Sequence, residues 1–127
     1  MKIQHIALYV KNLELMRKFY EKYFKGISNE KYYNPKTGLQ TYFLTFDGDV
    51  RLELMARPDS CEMEKPYYRE GFTHLAISVG SQKAVDNLTL ELKNAGFQVI
   101  SGPRTTGDGY YESCILDPEN NQIEITV

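Results

Sequence analysis

Apolar residues in this chain recur with two different periods. In short runs every second position is apolar, the mark of a strand with one covered face. In two longer stretches they return every three or four positions, the mark of a helix with one covered face. Leu13, Met16, Phe19, Tyr20, Tyr23 and Phe24 make the first helical stripe, with Asn12 as its N-cap and Gly26 just past its end. Val85, Leu88, Leu92 and Ala95 make the second, with Ser81 as cap and Gly96 as stop. Strands are predicted at about 5–10, 27–33, 39–47 and 50–57 in the first half, and at about 74–79, 97–101, 109–117 and 122–127 in the second. Turn chemistry separates them: Asn34 to Gly38, Asp47-Gly48-Asp49, Gly102-Pro103 through Gly109, and Pro118 to Asn121.

The order strand, helix, three strands therefore occurs twice, and the repeat is visible in the residues themselves. His5-Ile-Ala-Leu-Tyr-Val10 matches His74-Leu-Ala-Ile-Ser-Val79, and Arg51-Leu-Glu-Leu-Met55 matches Gln122-Ile-Glu-Ile-Thr126. The two histidines are 69 residues apart and the two glutamates 71, so one register holds from the first strand of each half to its last. Residues 58–71 carry two prolines and six charged residues and read as a linker between a first module, 1–57, and a second, 72–127.

Alternation assigns faces within each strand. Ile6, Leu8 and Val10 oppose His5, Ala7 and Tyr9; Leu75, Ile77 and Val79 oppose His74, Ala76 and Ser78. Leu52 and Leu54 oppose Glu53, and Ile123 and Ile125 oppose Glu124. One face suits packing under a helix. The other carries an imidazole or a carboxylate with small or polar neighbours, and Tyr9 on that face would shape a pocket. If the second faces curve towards one another, His5, Glu53, His74 and Glu124 converge. Two imidazoles and two carboxylates suit one divalent ion per site, Zn²⁺ or Ni²⁺ foremost, with Co²⁺, Mn²⁺ or Fe²⁺ also compatible. A single His or Glu on a strand usually just meets solvent, but both histidines of the chain fall at the same repeat position, and so do both glutamates.

Composition acts by exclusion. With 42% apolar and 25% charged residues the chain is an ordinary globular sequence, and a net charge of −2 without any basic block gives nucleic acid no footprint. No apolar run approaches the ~20 residues that span a bilayer, and the N-terminus lacks a signal-peptide pattern, so a cytoplasmic protein with no membrane partner is expected. Cys61 and Cys114 form no disulfide or zinc pattern, and Cys114 in its apolar run reads as a small buried thiol. Gly107-Asp108-Gly109 is no phosphate loop, since it leads into a strand and lacks the Gly-Lys-Ser/Thr ending. It could border a cavity mouth, which makes Tyr110 a candidate substrate contact. Tyr111 reads as strand packing and Arg104 as a solvated loop cation.

The opening His5 to Leu13, the Arg51-Leu-Glu-Leu54 run, Gly71-Phe-Thr-His-Leu-Ala-Ile-Ser-Val79 and the ending Leu116-Asp-Pro-Glu-Asn-Asn-Gln-Ile-Glu-Ile125 resemble the vicinal oxygen chelate superfamily, the glyoxalase, bleomycin-resistance and extradiol dioxygenase group. The resemblance spans essentially the whole chain. It implies an α+β fold of paired βαβββ modules forming a cupped mixed sheet, a metal in the cup and a homodimer. His5, Glu53, His74 and Glu124 match the ligand pattern of glyoxalase I (lactoylglutathione lyase)-like proteins. That pattern implies a metal-dependent lyase or isomerase acting on a small carbonyl or a hemithioacetal, a thiol adduct, through an enediolate-like intermediate. Glu124, or else Glu53, would be the base. Where such proteins hold glutathione with an Arg and an Asn, this chain has Tyr9 and Arg57, so these two are candidate substrate contacts for a different substrate. The alternatives are antibiotic resistance proteins of the group: a metal-dependent epoxide-opening enzyme of the fosfomycin type, or a bleomycin-type binding protein.

Overall fold

The Asn12 side chain accepts a hydrogen bond from the Leu15 N–H at 3.0 Å and so starts helix α1, Leu13–Phe24. Each of the six stripe residues expected for this helix is buried in the computed structural model, which describes residues 1–127. The helix ends one residue earlier than its glycine suggested. Lys25 itself takes the left-handed conformation, at φ 58°, and Gly26 serves close packing: a Cβ there would come within 3.0 Å of Leu44 and Phe46.

Around α1 the first unit, Met1–Met63, builds a five-stranded mixed sheet from β1 (His5–Tyr9), β2 (Ile27–Ser28), β3 (Tyr32–Tyr33), β4 (Gln40–Thr45) and β5 (Arg51–Ala56). The spatial order is β1-β5-β4-β2 with β3 also on β4; β1 and β5 run parallel and the other pairs antiparallel. The strand expected over 27–33 is thus two short pieces: the Asn29 N–H still donates to the Phe43 carbonyl, but its side-chain oxygen accepts from the Phe43 N–H, and regular pairing is interrupted there. Tyr42, Leu44, Leu52 and Leu54 are buried with Met16, Phe19 and Tyr20, forming the core between helix and sheet. On the flank, Glu14 meets Lys31, Arg17 and the Tyr42 hydroxyl; the Lys31 bond holds the Glu14 carboxyl below its usual range, and burial with that same bond network raises Tyr42.

The second unit, Glu64–Val127, repeats the plan with β6 (His74–Ser78), α2 (Gln82–Asn94), β7 (Val99–Thr105), β8 (Tyr111–Leu116) and β9 (Gln122–Thr126) in the order β6-β9-β8-β7. Ser81 caps α2 by accepting from the Ala84 N–H. Three expectations change here. Ala95 is exposed, and the inner face of α2 is instead Val85, Thr89 and Leu92. Thr89 can be buried because its hydroxyl is satisfied, at 2.6 Å from both the Val85 carbonyl and the Ser113 hydroxyl. Gly102-Pro103 does not end a strand: β7 runs on to Thr105, with register shifts at extra residues of β7, on either side of Ser101, accommodating the residue that lacks an N–H. The 58–71 segment is partly bound to this unit, since Lys65 donates to the Glu119 carbonyl and Gln122 to the Tyr67 carbonyl.

No helix is long and apolar enough to cross a membrane.

Candidate functional site

The first and last strands of each unit are parallel neighbours, and this pairing brings distant histidine and glutamate together. In the first unit Ala7 lies opposite Glu53, and His5 one step diagonal to it. The small Ala7 leaves the carboxylate room to lean along the strand, and Glu53 Oε2 stands 3.7 Å from His5 Nε2. In the second unit Ala76 faces Glu124, and Glu124 Oε2 stands 3.4 Å from His74 Nε2. The His side chains are 40% and 38% exposed and their Glu partners 14% and 20%, so each pair has a sheltered glutamate and a more accessible histidine.

These separations exceed a well-formed hydrogen bond. Two donors each ~2.1 Å from one ion, at a tetrahedral or octahedral angle, would stand about 3.0–3.4 Å apart. The His74–Glu124 pair has that spacing, and His5–Glu53 is within a few tenths of an ångström of it. His5 Nδ1 also engages the Gln4 side-chain amide, a second contact that orients the ring beside Glu53. The donor set of each pair fits a borderline divalent ion. Within neither unit does a third His, Cys, Asp or Glu side chain join its pair closely enough to make a three-ligand group.

The surroundings of the two pairs differ. Opposite Glu53 stands Phe43, edge-on to the His5 ring at 5.6 Å between centroids, with the Arg51 guanidinium 4.3 Å above the Phe43 ring. Opposite Glu124 stands Cys114; burial, with Glu124 and Glu112 adding, pushes its thiol up to about 11. Glu112 shares that neighbourhood, its carboxyl raised by burial and then by the Glu124 carboxylate, with Arg104 at 3.9 Å. Cys114 is therefore only half-buried, next to the histidine–glutamate pair, rather than a core thiol. Sequence reasoning passed over Phe43, Arg51 and Glu112. Counting back from each glutamate through its hairpin would have found Phe43 and Cys114 as cross-strand partners.

Among the substrate-contact candidates, Tyr9 is exposed on the His5 strand. Arg57 is engaged by Asp59 through two 2.8 Å bonds, which with Tyr9 hold its guanidinium above the usual range. Tyr110 is exposed and its backbone closes the 106–110 turn on Thr106. Tyr111 points to the helix side, donating to Asp86 on α2 at 2.7 Å.

The family model described as Glyoxalase/Bleomycin resistance protein/Dioxygenase superfamily matches residues 2–125. An uncharacterized protein, YqjT, of Bacillus subtilis (strain 168) is 29% identical over 126 residues, covering 97% of this chain and 96% of its own length. Among solved structures, the trypanothione-dependent glyoxalase I of Leishmania major superposes with a TM-score of 0.79 at 19% identity, over 99% of this chain and 86% of that one. A possible glyoxalase from Bacillus cereus gives 0.74 at 24% identity, over 100% and 99%. Glyoxalase I from Zea mays gives 0.81 at 21% identity, over 98% of this chain and 44% of the maize protein. At these identities the structures speak for the fold, which is the α+β glyoxalase-like arrangement of two βαβββ modules.

Proposed function

The chain belongs to the glyoxalase/bleomycin resistance protein/dioxygenase superfamily, and on that footing we propose that it is a metal-dependent lyase or isomerase acting on a small carbonyl or hemithioacetal substrate. The observation that carries this reading is the equivalence of the two pairs. Unrelated surface residues would have no reason to reproduce a Nε2–Oε2 approach of 3.4–3.7 Å in both repeats.

In this reading His5, Glu53, His74 and Glu124 hold one divalent ion per site, Zn²⁺ or Ni²⁺ foremost. When bound, the ion supplies Lewis-acid polarisation of a substrate carbonyl oxygen. Glu124 takes the proton from the carbon beside that carbonyl and returns it to the neighbouring carbon; Glu53 is the other carboxylate placed for the same task. Tyr9, Arg57 and Tyr110 contact the substrate. The protein works as a homodimer in the cytoplasm.

The test is turnover of methylglyoxal mixed with several low-molecular-weight thiols, followed by solvent-deuterium incorporation in Glu124→Gln. Thiol-dependent turnover, with exchange lost in the variant, is expected. Unchanged exchange with metal retained rejects Glu124 as the base. Turnover of an epoxide antibiotic alone moves the protein to the resistance enzymes, and stoichiometric drug binding without metal moves it to the binding proteins.

A further inference from the structure

Arg51 stands out among the arginines for what it does not do. Arg17 pairs with Glu14 and Glu21, Arg57 with Asp59 and Arg104 with Glu112, while Arg69 donates to the Phe72 carbonyl. The Arg51 side chain makes no ion pair; its contact is with the Phe43 ring, its guanidinium carbon lying over the ring 4.3 Å from the centroid. A guanidinium carries all its N–H donors in its own plane. Seating the cation over a ring places it while committing none of those donors to a protein acceptor.

The repeat shows that this is particular to the first module. Position 122 is the counterpart of position 51, and there Gln122 donates to the Tyr67 carbonyl at 3.1 Å, so its amide is satisfied by the chain itself. Position 114 is the counterpart of position 43 and carries a thiol where the first module has an aromatic ring. Only the first module combines a cation, a platform to orient it and no internal acceptor. Strand register sets Arg51 directly beside His5, and the same Phe43 ring touches both. Glu53, two residues along, is turned to His5 instead.

We infer that Arg51, oriented by Phe43, is the recognition point for an anionic group, a carboxylate or a phosphoryl oxoanion, carried by the substrate and held on the same face as His5. The functional meaning rests on the proposed metal reading of His5 and Glu53; the anion binding itself does not. A fork of parallel N–H donors matches two oxygens of such a group, whereas a neutral substrate would leave those donors unmatched.

The experiment titrates the metal-free, full-length protein, labelled with ¹⁵N, with acetate and with methylphosphonate at constant ionic strength, following the Arg51 Nε–Hε and Phe43 ring signals. Saturable shifts are expected, and the tighter of the two probes tells carboxylate from phosphoryl. Arg51→Gln should weaken binding at least about tenfold. Arg51→Lys, which keeps the charge but loses the fork, should weaken it less, and serves if the glutamine variant does not fold. Lys18→Gln, removing a charge from exposed helix surface, should change nothing. Absence of saturable shifts in the unaltered protein, or wild-type binding in both Arg51 variants, overturns the inference. Metal uptake is measured separately and should be unchanged in Arg51→Gln. An unaltered chain that takes up no metal but still binds the anion through Arg51 refutes the metal reading and leaves this one standing.

Discussion

Thr89→Val keeps the shape of a buried β-branched side chain and deletes one oxygen, which strands the hydroxyl of Ser113. Both residues are buried, and their oxygens are 2.6 Å apart. Thr89 Oγ1 is also 2.6 Å from the Val85 carbonyl, which can only accept, so the single Thr89 hydrogen goes there and Ser113 donates to Thr89. The two substitutions are therefore unequal. Ser113→Ala leaves Thr89 satisfied through Val85 and should cost about 0.5–1.5 kcal/mol, the net worth of one hydrogen bond. Thr89→Val leaves an unpaired buried hydroxyl and should cost about 1–3 kcal/mol. In the double variant no polar group is left unmatched, so its cost should fall short of the sum by about 1 kcal/mol. Urea unfolding of the four proteins at one pH, followed by circular dichroism, measures each term. Strict additivity, or Thr89→Val costing no more than Ser113→Ala, refutes the assigned donor direction. The contact matters to the site because Ser113 lies on β8 between Glu112 and Cys114, so fixing it to α2 holds their strand in register beside Glu124.

Four further outcomes are expected. Gly102→Ala should destabilise by at least about 2 kcal/mol in urea melts, because φ is +80° and a Cβ would meet the Glu112 carbonyl oxygen at 2.5 Å and Ser113 Cα at 2.8 Å. Gly107→Ala, with open space around it, should be nearly neutral. With its thiol pushed up to about 11, Cys114 is about 0.1% thiolate at pH 8, and alkylation by iodoacetamide followed by peptide mass mapping should find exposed Cys61 modified well before it. Burial raises the Asp117 carboxyl against the opposing hydrogen bonds from Asn121 and Glu119. A raised carboxyl contributes fully to stability below its unfolded value, about pH 4, and that contribution is lost as pH climbs through the folded value. Asp117→Asn should remove this part of the decline, so the difference between variant and parent unfolding free energies should move in the variant's favour from pH 4 to pH 7; a pH-independent difference would contradict the assignment.

Much of this architecture was legible because it depends on periodicity and caps. The stripe from Leu13 to Phe24, the caps at Asn12 and Ser81, and the two-fold repeat are local or nearly local signals, and the fold follows them. The approach of His5 to Glu53 and of His74 to Glu124 was foreseeable from the repeat, since equivalent positions in equivalent modules must have equivalent neighbours. What escaped depends on pairing. A core threonine in place of Ala95 follows from a hydroxyl partner on β8, and the continuation of β7 past Pro103 follows from extra residues that β7 itself carries against β8. Arg51 and Phe43 read as an ordinary strand cation and an ordinary strand aromatic until the ladder sets them beside His5.

The proposed function requires that both histidine–glutamate pairs serve the same ion. Equilibrium dialysis against Zn²⁺ or Ni²⁺, with metal analysis of the parent chain, His5→Ala and His74→Ala, addresses this directly. About one ion per chain in the parent, and affinity lost in each variant by at least about tenfold, is the predicted result. A parent chain that takes up no metal, or a variant of either histidine that binds as tightly as the parent, would contradict it.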